Sequence, residues 1–325
     1  MKRKYFIFLV IVAFVTFLYA PIVLADSILT VLGDAQTFAV TGAAGVTNPA
    51  TDNTLVVGNL GVSPSSSVTG FLTVDGGAGT VTSGTIHLND GPGVGTAKNA
   101  QAAVLKATTA LGNLGTGYLL PVTPLGTNTL GSLGTVDNLT PGVYTFATAA
   151  ALHGTLTLKA GGDPNAVFVF LIPTALNTDA NSSVVIDPGG AGGGQDAGVF
   201  WVTGTAATLG DNSSFEGNIL AGSAITLDPG AQIVCGRALA QTAVTFAGVS
   251  PVPLNNLVNC VDCGVSPETL GLSGGLEFTG PDTFELKLIS GGNGGGVPVP
   301  EPATMLLLGS GLVGLAGLAR RKFKK

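Results

Sequence analysis

The 325-residue chain has little of what catalysis and nucleic-acid binding require. It holds two histidines, three cysteines and one tryptophan, and only 10% of its residues are charged, so groups that move protons or bind phosphate are rare. His87 and His153 stand in unrelated contexts, and no HExxH, no G-x-S-x-G elbow and no glycine loop ending in Lys-Ser/Thr occurs. Positive charge is scarcer still along the body. Eight of the 13 basic residues lie at the two ends: Lys2, Arg3, Lys4, Arg320, Arg321, Lys322, Lys324 and Lys325. Only Lys98, Lys106, Lys159, Arg237 and Lys287 remain between them, against 19 acidic residues in the chain. Such a body cannot neutralise a phosphate backbone, which excludes nucleic acid as a partner. The acids are scattered, and Asp163, Asp187 and Asp228 each precede proline, a turn pattern rather than the clustered acids of a polysaccharide-cleaving enzyme. The chain therefore reads as a binding protein without catalytic residues, cofactor or metal.

Cysteine is nearly absent too. Cys235, Cys260 and Cys263 suit one disulfide and one leftover thiol in an exported protein. Cys260-x-x-Cys263 is half of a zinc spacing, but no second pair or histidine cluster follows it. The sequence does not say which pair is joined. Cys235 bonded to either partner ties the last repeat to the chain leaving it.

Long apolar runs occur only at the ends. The basic start Met1–Tyr5 leads into an apolar run from Phe6 to Leu24, and small residues around Ala25 fit signal-peptidase cleavage after Ala25. An uncleaved membrane anchor is the alternative. At the other end Pro300, Glu301 and Pro302 precede an apolar span, 303–319, and a closing basic cluster, 320–325. That span is near the lower limit for crossing a bilayer, and the basic cluster would hold its end in the cytoplasm.

What the body does contain is glycine, of which the chain has 50, with many β-branched and turn residues and few long charged helix formers. One segment differs. From Thr96 to Leu114 apolar residues fall at Ala97, Ala100, Val104, Ala107, Leu111 and Leu114, the stripe of one amphipathic helix with Thr96 as its N-cap. Elsewhere the pattern is short strands and turns, and from Gly198 it repeats. Gly198-Val199-Phe200-Trp201-Val202, Gly217-Asn218-Ile219-Leu220-Ala221 and Gly236-Arg237-Ala238-Leu239-Ala240 start 19 residues apart. Ala207-Thr208-Leu209, Ile225-Thr226-Leu227 and Val244-Thr245-Phe246 form a second series, and Ser213-Ser214-Phe215 and Gln232-Ile233-Val234 a third. Three short strands per repeat predict a mainly β, three-sided solenoid with one long helix packed alongside. In-out alternation puts Leu209, Leu227 and Phe246 inside and Thr208, Thr226 and Thr245 in an outward ladder. Thr157 and Ser214 are assigned to the same outward face. The expected organisation is a signal peptide at 1–25, a solenoid domain at 26–265, a spacer at 266–296 with a small strand pair within 268–290, and a tail at 297–325.

Two stretches carry resemblances. The tail, through Pro300, Glu301 and Pro302, resembles the PEP-CTERM sorting signal of Gram-negative bacteria. That resemblance implies recognition by an exosortase, transient membrane anchoring and delivery to the cell surface or extracellular matrix. From Phe38 to about Val249 the chain is similar to the DUF3494 ice-binding family. The similarity is carried by Gly58-Asn59-Leu60-Gly61-Val62-Ser63-Pro64, Leu139-Thr140-Pro141-Gly142-Val143-Tyr144-Thr145-Phe146, Gly162-Asp163-Pro164-Asn165-Ala166-Val167-Phe168 and the glycine-led repeats. It implies a right-handed, triangular β-solenoid and an extracellular protein whose partner is the ice crystal surface. The other function consistent with the sequence is a structural or adhesive matrix protein that binds polysaccharide or cells.

Overall fold

The computed structural model describes residues 30–116, 120, 122–125, 129–131, 137–248, 255–261 and 272–289. Ala25, Cys263, Pro300, Glu301, Pro302 and the apolar span 303–319 lie outside them. Among the described residues no helix is long and apolar enough to cross a membrane.

The chain is mainly β, in parallel ladders, with one α-helix, Ala97–Asn113. Parallel pairing at short sequence spacing means that the chain returns over itself, strand upon strand. An eight-stranded sheet holds Val68–Thr69, Gly45–Thr47, Ala243–Phe246, Ile225–Leu227, Ala207–Leu209, Leu176–Thr178, Ala150–Leu152 and Thr129–Leu130, in that spatial order. A fifteen-stranded sheet contains two further ladders, joined because Ser214–Ala221 and Gln232–Ala240 are long enough to run through both. The first halves of these two strands pair with each other beside Ser183–Asp187 and Leu257–Asn259. Their second halves pair beside Gly198–Thr203 and Phe38–Gly42.

The stacking order departs from chain order at one place. Gly45–Thr47 lies on Ala243–Phe246, so the first strands of the body close the end formed by the last repeat. The chain must then travel back along the stack, and the helix makes that journey. It starts beside Gly61, where an added Cβ would lie 3.2 Å from the Cβ of Ala97. Just past its end, an added Cβ on Gly115 would lie 3.1 Å from Leu171. Gly61, Thr41, Leu239, Leu220, Val202 and Leu171 are consecutive rungs of one ladder, five steps in all. Five steps of about 4.8 Å span about 24 Å, and 17 helical residues rise about 25 Å. Helix length and stack height match.

The helix lies as its stripe predicts. Thr96 caps it by accepting from the Asn99 amide, and Ala97, Ala100, Val104, Ala107, Ala110 and Leu111 are buried. They pack on the outward side chains Val143, Val169, Phe200, Leu220 and Leu239. Alanine at the contact lets the helix axis approach the strands, and a core is thereby formed outside the sheet as well as inside it.

Inside the stack, like residues sit on like. Tyr144, Phe170 and Trp201 occupy successive rungs, with Phe170 and Trp201 stacked at 3.7 Å between ring centroids and an angle of 5°. Phe215 tilts against Trp201 at 5.0 Å. Here the register corrects the sequence alignment. Gly217 and Gly236 are partners as expected, but Gly198 is not in their column, because Phe200 pairs with Asn218 and Trp201 with Ile219. Aligning on glycine would have set Trp201 beside Leu220. A one-residue slip reverses every side chain, and burial of the indole decides the register.

Residues 272–289, expected to belong to the spacer, are part of the body. Leu276–Phe278 and Leu286–Leu288 form an antiparallel pair, and Leu272, Ser273, Leu276 and Phe278 are buried. Asn218 donates to the Leu272 carbonyl at 2.7 Å, and Lys106 lies 4.0 Å from the Phe278 ring centre. Cys235 is disulfide-bonded, whereas Cys260 is a free, buried thiol.

Candidate functional site

Four three-residue strands of the eight-stranded sheet, Ala150–Leu152, Leu176–Thr178, Ala207–Leu209 and Ile225–Leu227, have an inward–outward–inward pattern, so each offers one outward side chain. Ala207-Thr208-Leu209, Ile225-Thr226-Leu227 and Val244-Thr245-Phe246 bury their flanking residues and leave the threonine half-buried on the surface. Thr208 is in register with Thr226, and Thr226 with Thr245. The column continues on both sides. Thr245 pairs with Thr47 and Thr47 with Thr69; in the other direction Thr208 pairs with Asn177, Asn177 with Ala151 and Ala151 with Thr129. Eight rungs thus carry six threonines, one asparagine and one alanine, at the strand spacing of roughly 4.8 Å.

Thr157 and Ser214 are elsewhere. Thr157 pairs with Asn138 and Val185, and Ser214 with Ser183 and Gln232, all in the fifteen-stranded sheet. The five residues expected on one face are therefore divided between two. Each circuit passes through both ladders, and outward hydroxyls occur in each, so composition alone does not separate them.

A second hydroxyl row borders the threonine column. Thr174, Thr205, Ser223 and Thr242 form it, with Ala44 at its end, and the amide of each residue after the first donates to the carbonyl of the one before it at 2.6–3.0 Å. Between the two rows run Ala175, Ala206, Ala224, Ala243 and Gly45, which keep the space between hydroxyls clear of bulk. The local motif is thus Thr/Ser-Ala-x-Thr: Thr205–Thr208, Ser223–Thr226 and Thr242–Thr245. Sequence reading found the second threonine of each and missed the first, along with Thr47, Thr69 and Thr129. The motif itself was the available signal. Thr47 and Thr69 could not be placed by repeat spacing, because they join the column only through the change in stacking order.

The columns contain no charged side chain. Charge begins at the border where the strands end, with His153 paired to Asp179 and with Asp228. Burial, and secondarily the charge of Asp211, pushes the Asp228 carboxyl up. Lys159 is remote from the column, in the Thr155–Lys159 strand opposite Asp187. Among the described residues no group of three or more His, Cys, Asp or Glu is placed to hold a metal ion.

The stacked ladders and this uncharged double row of hydroxyls define a repeat-built binding protein whose face has the period of its own strands. The comparisons give that class a family. The ice-binding-like family matches residues 40–250, and the chain belongs to it. The PEP-CTERM protein-sorting motif matches residues 298–322. An ice-binding protein of Nostoc sp. (strain HG1) is 37% identical over 325 residues, covering 100% of this chain and 98% of that one. An ice-binding protein of Flavobacterium frigoris (strain PS1) is 33% identical over 222 residues, 66% of this chain and 73% of that one. The crystal structure of an ice-binding protein from the Antarctic ascomycete Antarctomyces psychrotrophicus superposes with a TM-score of 0.56 at 33% identity, over 70% of this chain and 96% of that one.

Proposed function

We propose that the protein adsorbs to ice through the column Thr69–Thr47–Thr245–Thr226–Thr208 and its bordering hydroxyls, and so limits ice growth and recrystallisation. The observation that carries this reading is the in-register stacking of these threonines on strands pinned by hydrogen bonds above and below. Each threonine presents a methyl and a hydroxyl. Held at a fixed repeat, with alanine between rows and no charge to impose its own hydration shell, they can hold water in an ordered layer that merges with a crystal surface. Rigidity is central, because a mobile face would lose conformational entropy on adsorption. No bond is made or broken, and the protein acts by binding alone.

Its body on this reading is a right-handed, three-sided solenoid, with the threonine ladder as one side, the helix covering another and Thr157 and Ser214 on the third. The names of its relatives support ice as the partner, and the sorting motif supports export. Signal peptidase would cut after Ala25. The apolar span 303–319 would hold the exported chain in the membrane of a Gram-negative cell until an exosortase acts at Pro300-Glu301-Pro302, leaving the protein at the surface or in the matrix. Partitioning of residues 26–296 into slowly grown ice tests the function. Enrichment in the ice fraction is expected, and exclusion from it would refute the proposal.

A further inference from the structure

The threonine column crosses a seam. Within the repeats the chain itself holds the register, because Thr208, Thr226 and Thr245 follow one another through single circuits. At the seam no short connection does this: Gly45–Thr47 comes from the start of the described body and Ala243–Phe246 from its last repeat. The same join is made in the helix-bearing ladder. There Phe38–Gly42 lies on Gln232–Ala240 with two residue pairs in register, Val40 with Ala238 and Thr41 with Leu239. In–out alternation excludes a slip of one residue, which would turn Val46 outward and Thr47 inward. A slip of two keeps the alternation. It would set Gly45 or Pro49 opposite Thr245 and take Thr47 and Thr69 out of the column.

Arg237 tells these registers apart. Its side chain is fully buried, in one column with Asn218 and Phe200. Nε and Nη2 both donate to the Gln36 carbonyl, at 3.0 and 2.6 Å, and Nη1 donates to Asn218 Oδ1 at 2.7 Å. Asn218 in turn donates to the carbonyls of Val199 at 3.1 Å and Leu272 at 2.7 Å. Gln36 lies in the 3₁₀ turn Gly33–Thr37, directly before Phe38–Gly42. The guanidinium therefore ties the incoming first strand to Gln232–Ala240 and, through Asn218, to Ser214–Ala221 and Gly198–Thr203. A slip of two residues would carry the Gln36 carbonyl about 6.6 Å along the strand, out of hydrogen-bond reach. The buried guanidinium would then be short of acceptors, a heavily disfavoured state. We infer that Arg237 is a positioning residue for the threonine face, fixing the seam register that brings Thr47 opposite Thr245. It touches neither threonine, and its bearing on function rests on the ice adsorption proposed above.

Cysteine pairs introduced into the full chain read the register directly. Thr47→Cys with Thr245→Cys reports the seam, and Thr208→Cys with Thr226→Cys reports a step within the repeats. Both pairs are in-register outward neighbours on parallel strands, so mild oxidation should join them in the parent with comparable yields. Arg237→Met removes the donors and keeps an apolar stem. In that background the seam pair should lose most of its cross-linking while the repeat pair keeps its own. Arg237→Lys, which offers a single point of donation, should fall between. An undiminished seam pair in Arg237→Met would show that the register is set elsewhere. Loss of both pairs together would show that Arg237 holds up the whole body rather than the seam. Either result overturns the inference. Thermal hysteresis of Arg237→Met, measured without the added cysteines, should fall as the seam pair does. A seam pair lost with hysteresis unchanged would leave the register role standing and remove Thr47 and Thr69 from the proposed ice face. Cross-linking needs no ice, so absent hysteresis in the parent would refute ice adsorption and leave the register result intact.

Discussion

Thr47 and Thr245 stand side by side in the same register of adjacent parallel strands, although one begins the described body and the other ends its last repeat. The proposed ice face therefore crosses a seam between distant parts of the chain. Thr47→Tyr and Thr69→Tyr should each lower thermal hysteresis by more than half while leaving the melting temperature within a few degrees, since both side chains are exposed and surface substitutions change stability by about 0.5 kcal/mol or less. Ice-growth assays beside thermal melts check this. Full activity in both variants would confine the face to the later repeats.

Thr157→Tyr and Ser214→Tyr are the matching controls. Their strands belong to the other sheet, so ice activity should remain near that of the parent protein. A loss as large as that of Thr47→Tyr, measured in the same assay with folding intact, would show that the threonine column is not the sole contact surface.

The aromatic stack sets stability rather than recognition. Phe170 lies between Tyr144 and Trp201 with no exposed surface, and Phe170→Ala should cost about 3–5 kcal/mol through lost burial and the cavity left behind. Chemical denaturation would measure it. A cost under 1 kcal/mol would mean that the rungs close up around the gap.

Glu216 gives the protein a pH dependence. Its carboxylate accepts from the Ile186 amide at 2.7 Å, yet burial raises its pKa above the ordinary 4.5, outweighing that hydrogen bond. An acid whose pKa is raised on folding favours the folded state fully below its unfolded pKa, and this contribution is lost as pH rises through the folded value. Glu216→Gln should therefore raise the melting temperature at pH 7 and leave it nearly unchanged at pH 4, with Gln Oε1 still accepting from Ile186. Melts at the two pH values test the sign, and a variant less stable at pH 7 would contradict it.

Much of this architecture was legible in the sequence, for identifiable reasons. The helix was visible because its 3- and 4-residue steps contrast with two-residue alternation on either side, and the Thr208–Thr226–Thr245 column because the strands on both sides recur with it. The slip at Gly198 escaped because glycine carries no inward or outward preference, so aligning on it discards the alternation that sets the register. Thr157 and Ser214 were misplaced because outward hydroxyls look alike on any side of a repeating stack. The docking of residues 272–289 was hidden for another reason. Its contacts, such as Asn218 with Leu272 and Lys106 with Phe278, join positions far apart in the chain, and no local period reports them.

The most direct test of the central claim is thermal hysteresis of the purified body carrying Thr226→Tyr, measured beside its melting curve. Thr226 occupies a middle rung, with Thr208 on one side and Thr245 on the other. A phenol ring there would stand above the hydroxyl rows and hold ice off several rungs at once. The account predicts loss of ice shaping and of nearly all hysteresis, with an unchanged melting curve. Undiminished hysteresis in a folded variant would contradict it and move ice contact to another side of the body.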